Sequence, residues 1–399
     1  VLAGQLILQS VQIHRQVFGF DNTGNECVII GADYAASAEH GLNSAVSISP
    51  FFWTCRREQH MNYRYIGKSG LRVSPICMGT MSFGSWSDEK ESLRILDKAY
   101  ERGINFYDTA EVYPVPPRAE TVGLTETIFG KWIKTKNRDS LIIATKVAGA
   151  ASGWFVPPIR AGMTAIDRHH IERAVEGSLQ RMGLDYIDLY QVHWPDTVVP
   201  IEESMAALDR LVESGKVRYL GTSNENAYGL TKANTVAHYE GYARFQSIQN
   251  NFSLLNRRFL DELALVCRKE NVSLLPYSPI GGGMLSGKYN ADKIPEHSRF
   301  GEYLQLENPR QRAMADRFLN KGTLDSTARY IEIAREAGMS PTTLAVAWSM
   351  NFDFVASTII GARTADQLDE SFAALDVKLS AEVLRACDAV HKDILYPMG

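Results

Sequence analysis

The sequence predicts a closed barrel of eight parallel strands alternating with helices, a (β/α)8 or TIM barrel, over residues 61–399. Eight short runs rich in β-branched and apolar residues are spaced along this stretch. Amphipathic segments with helix start and stop signals separate them. Several runs are apolar nearly throughout, as strands covered on both faces are. A doubly wound open sheet is the competing architecture. It is weakened because no Gly-rich GxGxxG follows the first strand.

The predicted strands are 73–80, 105–110, 141–147, 187–194, 217–223, 244–250, 272–278 and 356–361. The helix after the first strand starts at Ser87 or Asp88, with Glu91 three residues beyond Asp88. It buries Leu93, Leu96 and Tyr100 and stops at Gly103. The third helix starts near Asp167, runs through Ile171, Val175 and Leu179, and stops at Gly183. The fourth spans about 202–214, with Met205, Leu208 and Leu211 on one face and Gly215 at its end. The long Gly-rich segment 281–325 is the largest insertion; such loops are functional or disordered. His169 and His170 read as first-turn surface residues, because adjacent helix positions point to different faces and cannot share a metal.

At 399 residues, 45% hydrophobic and 22% charged, the chain is not collagen, a coiled coil or wholly disordered. Its net charge of −4 argues against a nucleic-acid platform, which normally carries a basic face. No run of about 18 apolar residues exists, so no membrane span is expected. Five cysteines (Cys27, Cys55, Cys77, Cys267, Cys387) without a CxxC suit neither a disulfide scaffold nor a cysteine zinc site. They fit a reducing, cytoplasmic compartment. Residues 1–60 stand apart: they hold no lysine and three arginines against five acids, and they show no sustained helical or strand period. VLAGQLILQS lacks the basic region of a secretory signal, and the acids argue against a transit peptide. The expectation is an N-terminal extension foreign to the barrel, disordered or a misassigned start, with the barrel domain at 61–399.

In such a barrel, chemistry sits where the strands end at their C-termini. The second strand ends in Asp108, with Tyr113 in its loop; the third ends in Lys146 and the fourth in His193. Ser223 and Asn224, Gln249, and Tyr277 and Ser278 end the next three. Singly, Asp108 reads as a cap or turn residue, Lys146 as a solvated rim charge and His193 as a packed histidine. Jointly, they converge on one rim as a proton-transfer device. A free tyrosine is too weak an acid for neutral pH, and a neighbouring ammonium lowers its pKa. Lys146 supplies that charge, and Asp108 keeps it protonated. His193 either donates a hydrogen bond to a substrate oxygen or shares the proton with Tyr113. Such a set suits a carbonyl becoming an alcohol, which needs a hydride donor. The sequence shows no metal cluster, so the donor is expected to be an organic cofactor.

The runs DTAEVY (108–113), ATKV (144–147), QVHW (191–194), GTSN (221–224), SIQNNFSLLNR (247–257), PYSPIGGGMLSGKY (276–289) and IIGARTADQLDES (359–371) resemble the aldo-keto reductase superfamily. The motifs stand in family order across essentially all of 61–399, and YPVPPRAETVGLTE (113–126) and VHKDILYP look like the bacterial Tas-type branch. The resemblance implies Tyr113 as proton donor, Lys146 and Asp108 as its tuning pair, and His193 as the carbonyl orienter. It implies NADP(H) as cofactor. Ser223, Asn224 and Gln249 would hold the nicotinamide carboxamide, and Tyr277 would stack on its ring. Gly79 and Thr80 join the cofactor set. Ser278 through Lys288, with Ile280, Gly281, Gly282 and Gly283, would wrap the pyrophosphate, the glycines letting backbone N–H groups approach. The stretch from Gly361 leads into a helix carrying Gln367 and Glu370, whose N-terminus offers an anion site, with Ser371 near the adenine. Arg363 there pairs with a 2′-phosphate, favouring NADPH over NADH. Ser371 stands where members often have Asn, which weakens the adenine contact.

Trp86, Pro114, Pro116, Pro117, Trp154, Phe155 and Trp194 are the candidate pocket walls, an aromatic surface for hydrophobic aldehydes or ketones. The expected partner is a small carbonyl substrate, with no nucleic acid, membrane or metal; oligomeric state is open. Two rivals stand beside reduction. One is a Schiff-base lyase using Lys146, disfavoured because Asp108 holds the proton on. The other is a nucleotide-sensing regulatory subunit on the same fold.

Overall fold

The computed structural model describes residues 61–398 apart from 152–158, 292 and 308, together with two strands in the first sixty residues. Those strands, β1 (Ile13–Phe20) and β2 (Glu26–Ala32), pair antiparallel with a register shift between Val17 and Phe20. The pair forms where the sequence shows no sustained strand period. A strand pair satisfies its backbone groups mutually and needs no side-chain alternation to do so. Residues 1–60 and 61–399 are separate compact units.

The second unit opens with a hairpin, β3 (Arg64–Tyr65) and β4 (Arg72–Val73). Eight strands follow: β5 (Ile76–Gly79), β6 (Phe106–Asp108), β7 (Ile142–Val147), β8 (Ile187–Val192), β9 (Val217–Ser223), β10 (Phe245–Gln249), β11 (Ser273–Leu274) and β12 (Thr358–Ile360). All eight predicted strands are present and their pairings are parallel, with β12 bonded to β5. The ring closes between β11 and β12: Leu274 N–H donates to Phe354 O at 2.7 Å, and Ile359 N–H to Pro276 O at 2.8 Å. A closed sheet has no edge, which settles the choice against the open one.

The helices are α1 (Glu89–Glu101), α2 (Leu124–Ile133), α3 (Arg168–Met182), α4 (Ile201–Glu213), α5 (Ala227–Glu240) and α6 (Leu263–Glu270). After β11 come α7 (Arg299–Gln305), α8 (Pro309–Phe318), α9 (Lys321–Glu336) and α10 (Pro341–Met350); α11 (Leu368–Ala373) and α12 (Ala381–Asp393) follow β12. Asp88 caps α1 by accepting from Glu91 N–H, and Asp167 caps α3 by accepting from His170 N–H. Gly183 ends α3 at φ 67°, the left-handed turn that suits glycine. The buried face of α1 is Ser92, Ile95, Leu96 and Ala99; the expected Leu93 and Tyr100 lie at its half-buried flanks. The 281–325 segment is largely helical, holding a tight turn at Gly281–Ser286, then α7, α8 and the start of α9. His169 is exposed as expected, but His170 is buried, its Nε2 3.1 Å from Ala148 O. The α3 cap turns it inward.

Inside the barrel, Cys77, Phe106, Ala144, Leu189, Leu275, Ala356 and Ile359 pack together, closed below by Ile66, Leu71 and Val73 of the hairpin segment. Outward-facing strand residues such as Ile76, Tyr107, Ile143 and Tyr190 pack on the helices. Side chains alternate with period two, so the next inward positions after Phe106, Ala144 and Leu189 are Asp108, Lys146 and Gln191. The barrel interior thus changes from apolar to polar toward the strands' C-terminal ends.

Candidate active site

Asp108 and Lys146 meet at that transition. Lys146 Nζ donates to Asp108 Oδ2 at 2.5 Å and to Thr109 O at 2.8 Å, with the lysine side chain fully buried. Asp108 Oδ1 accepts from Gln191 Nε2 at 3.1 Å and from Gln249 Nε2 at 2.9 Å. Both carboxylate oxygens are therefore held, as a buried charge requires. Burial pulls the Lys146 ammonium down, but attraction from Asp108 and Tyr113 outweighs it, and the group sits above its ordinary value. Lys146 is a fixed cation.

Tyr113, buried at the mouth, places its ring centroid 5.0 Å from Lys146 Nζ. His193 meets it edge-on at 5.6 Å. Burial pushes the Tyr113 phenol up; Lys146 pulls it down, Asp108 pushes it up, and the net is above the ordinary value. This corrects the expectation of a lowered pKa: the ammonium acts as foreseen, but desolvation of the phenolate is the larger effect. Burial and the Lys146 charge hold His193 well below its ordinary pKa, so its imidazole is neutral at physiological pH. Its Nδ1 is buried without a hydrogen-bond partner. A neutral imidazole offers one donor and one acceptor.

Tyr113 also belongs to an apolar cluster with Ala110, Val112 and Ala148, flanked by Met81, Val115 and Trp194. Trp194 is anchored by its indole N–H to Ala150 O at 2.7 Å. Trp154 and Phe155 lie outside the described residues. Trp86, expected on the substrate wall, has its indole 4.7 Å from the Arg363 guanidinium and 5.5 Å from that of Arg299. The β5–α1 loop turns it toward these charges.

The expected cofactor residues form a chain of contacts along the rim. Ser223 Oγ donates to Gln249 O at 2.7 Å, Asn224 Nδ2 to His193 O at 2.9 Å, and Tyr277 OH to Asn224 Oδ1 at 2.7 Å. Thr80 Oγ1 donates to Asp108 O at 3.0 Å. Gly79 lets β5 approach β12, since a Cβ there would lie 2.8 Å from Ile359 Cγ2. Gly281, Gly282 and Gly283 all have positive φ, and the turn they make is one that side chains resist. Their N–H groups, expected to meet phosphate, are instead bonded within the turn, to Ser278 O, Ser278 Oγ and Ile280 O. The predicted helix N-terminus past Gly361 is likewise supplied by the chain itself. Ala365 N–H donates to Glu91 Oε1 at 2.7 Å, and Arg363 N–H to Gln367 Oε1 at 2.9 Å. Glu370 is exposed there and Ser371 is buried in α11.

Cationic side chains stand where those backbone donors were expected. The Lys288 ammonium is lowered by burial and by repulsion from Arg363 and Arg299, which places three cations in one field. Arg299 Nε is buried without a partner. An orphaned buried guanidinium nitrogen among three cations fits a phosphate-bearing dinucleotide. Sequence reading missed Arg299, which sits in the insertion with no strand register to mark it. It also missed Gln191, which the period-two rule applied to QVHW would have found. Among the described residues no group of three His, Cys, Asp or Glu gathers to hold a metal, and no helix is long and apolar enough to cross a membrane.

The sequence profile of the Aldo/keto reductase family matches residues 75–392. Protein tas of Escherichia coli (strain K12) is 39% identical over 357 residues, covering 84% of this chain and 99% of that protein. Versiconal hemiacetal acetate reductase of Aspergillus parasiticus is 32% identical over 345 residues, 82% of this chain and 95% of that one. A protein of Oryza sativa subsp. japonica named "Probable voltage-gated potassium channel subunit beta" is 33% identical over 338 residues, 83% of this chain and 96% of its own. Family members generally use NAD(P)H, and these likenesses support an oxidoreductase and carbonyl reduction in general. With its closed eight-stranded barrel and a buried Asp–Lys pair under a tyrosine at the strand ends, the chain belongs to the aldo/keto reductase family.

Proposed function

We propose that this protein reduces aldehydes or ketones to alcohols with NADPH, using Tyr113 as the proton donor. The observation that carries this is the Lys146 ammonium, fixed between Asp108 Oδ2 and Thr109 O within 5.0 Å of the Tyr113 ring. NADPH, when bound, supplies the hydride that goes to the carbonyl carbon. Neutral His193 donates a hydrogen bond to the carbonyl oxygen and orients it. Tyr113 passes its proton to that oxygen as negative charge develops there, and the Lys146 cation stabilises the phenolate left behind. Solvent then returns the proton. Trp194, Val112 and Val115 give the mouth an apolar wall suited to a hydrophobic substrate body. Lys288, Arg299 and Arg363 meet the phosphates, with Arg363 at the 2′-phosphate. Buried free thiols at Cys77, Cys267 and Cys387 suit a reducing, cytoplasmic setting.

Turnover of NADPH and of NADH against aromatic and aliphatic aldehydes tests the reading. Selective NADPH oxidation supports it. The likeness to a channel-subunit-named relative favours a second reading, a nucleotide-sensing regulatory subunit. Tight NADPH binding without turnover of any carbonyl would favour that one. A Schiff-base role for Lys146 is disfavoured by the Asp108 contact, which keeps the amine protonated.

A further inference from the structure

Arg363 and Glu302 reach each other from separate parts of the fold, Arg363 from the loop after β12 and Glu302 from α7 in the insertion after β11. Arg363 Nη1 donates to Glu302 Oε1 at 2.9 Å and Nη2 to Oε2 at 3.4 Å. Trp86 Nε1 donates to the same Oε2 at 2.9 Å, and Arg363 Nη1 also reaches His297 O at 2.8 Å. The carboxylate therefore occupies the guanidinium edge that a phosphate monoester would take, since both are bidentate partners of arginine. Both side chains are part-exposed, at 23% and 34%, so the pair contributes little to folding. Its position inside a field of three cations gives it a different consequence. Lys288 and Arg363 repel each other, and Glu302 is a carboxylate paired with Arg363 within that field.

We infer that Glu302 is a specificity-determining residue, an internal anion that competes with the cofactor's 2′-phosphate for Arg363 and so narrows the preference for NADPH over NADH. This rests on the reading that Arg363 meets the 2′-phosphate. A ligand carrying that phosphate must displace Glu302 from Arg363, or share the guanidinium with it against like-charge repulsion. A ligand with a free 2′-hydroxyl leaves the pair intact. The opposite role is equally concrete: Glu302 would hold Arg363 in its binding pose, and its loss would weaken NADPH.

Calorimetric titration of NADPH and NADH into the wild type, Glu302→Gln and Arg363→Ala decides between them. The Glu302→Gln side chain keeps a carbonyl acceptor for the Trp86 indole, and an unchanged melting temperature would show that the fold is retained. The expected result is NADPH binding tightened about three- to fivefold in Glu302→Gln, the worth of one part-exposed ion pair, with NADH within about twofold. Unchanged or weaker NADPH binding in Glu302→Gln overturns the inference. If Arg363→Ala weakens NADPH and NADH equally, the 2′-phosphate reading itself has failed, and the inference falls with it. Selective NADPH loss in Arg363→Ala beside an unaltered Glu302→Gln sinks the inference alone.

Discussion

At the scale of single residues, the site separates one acid from one cation by environment. The buried Tyr113 phenol sits above its ordinary 10.0, and the Lys146 ammonium above its ordinary 10.5. A phenol so placed is protonated throughout the neutral range, the form a reductase needs before transfer. Replacing Tyr113 with Phe is expected to lower kcat for reduction at least about a hundredfold while NADPH affinity stays within about twofold. Steady-state kinetics with a parallel binding titration checks this; equal loss of binding would mean the residue has another role. The alkaline limb of kcat/KM for reduction should lie above pH 10, because the group that must stay protonated is pushed up from 10.0. Asp108→Asn strands the buried Lys146 charge, so burial then dominates and the lysine pKa falls. It should destabilise the fold by about 3–5 kcal/mol in urea unfolding.

At the scale of elements, Glu111 fastens the β6 loop carrying Tyr113 to the end of β7 carrying Lys146. Its Oε1 accepts from Ala148 N–H at 2.7 Å, and its own N–H donates to Lys146 O at 3.3 Å. Burial raises its carboxyl from 4.5 to about 7, against the pull of the Ala148 N–H and of Arg181, with Glu126 adding to the rise. His170 Nε2 lies 3.6 Å from Glu111 Oε1, and the Tyr190 hydroxyl is buried nearby in electrostatic contact. A folded state that holds this proton more tightly than the unfolded chain loses stability as pH rises from 4.5 to about 7, then levels off. His170, lowered by burial, acts with the opposite sign below 6.5, so the wild-type curve mixes the two. Glu111→Gln keeps the Ala148 contact and removes the ionisation. Relative to this variant, the wild type should lose stability between about pH 5 and 7 in urea unfolding. Parallel curves would show that Glu111 does not titrate there.

At the scale of the whole molecule, all eight barrel strands and every described site residue lie within 61–399, a compact unit of its own. A chain beginning at Met61 should therefore retain NADPH binding and carbonyl turnover within about twofold, and a loss beyond about tenfold would assign 1–60 a part in the site. Closure also explains why residues far apart in sequence share one field. β12 bonds to β5 and leads into the Arg363 loop, the insertion after β11 carries Arg299 and Glu302, and the β5–α1 loop carries Trp86.

The sequence by itself determined the strand count, the helix caps at Asp88 and Asp167, and the Asp108, Tyr113, Lys146 and His193 set. These depend on local chemistry: a period of two or 3.6, a capping oxygen, a polar residue following an apolar run. It placed His170 on the surface, where the structure buries it, and it did not foresee the Arg363 and Arg299 contacts of Trp86 or the internal hydrogen bonds of the glycine N–H groups. Only the tertiary structure decided these contacts, and only it brought Arg299, Glu302 and Glu111 into place; Gln191 was within reach of the period-two rule. Which neighbour a side chain meets across the barrel, and how much water it keeps, depends on distant segments arriving together. The net rise of the Tyr113 pKa has the same origin, because desolvation is a property of the assembled surroundings and not of the neighbouring residue types.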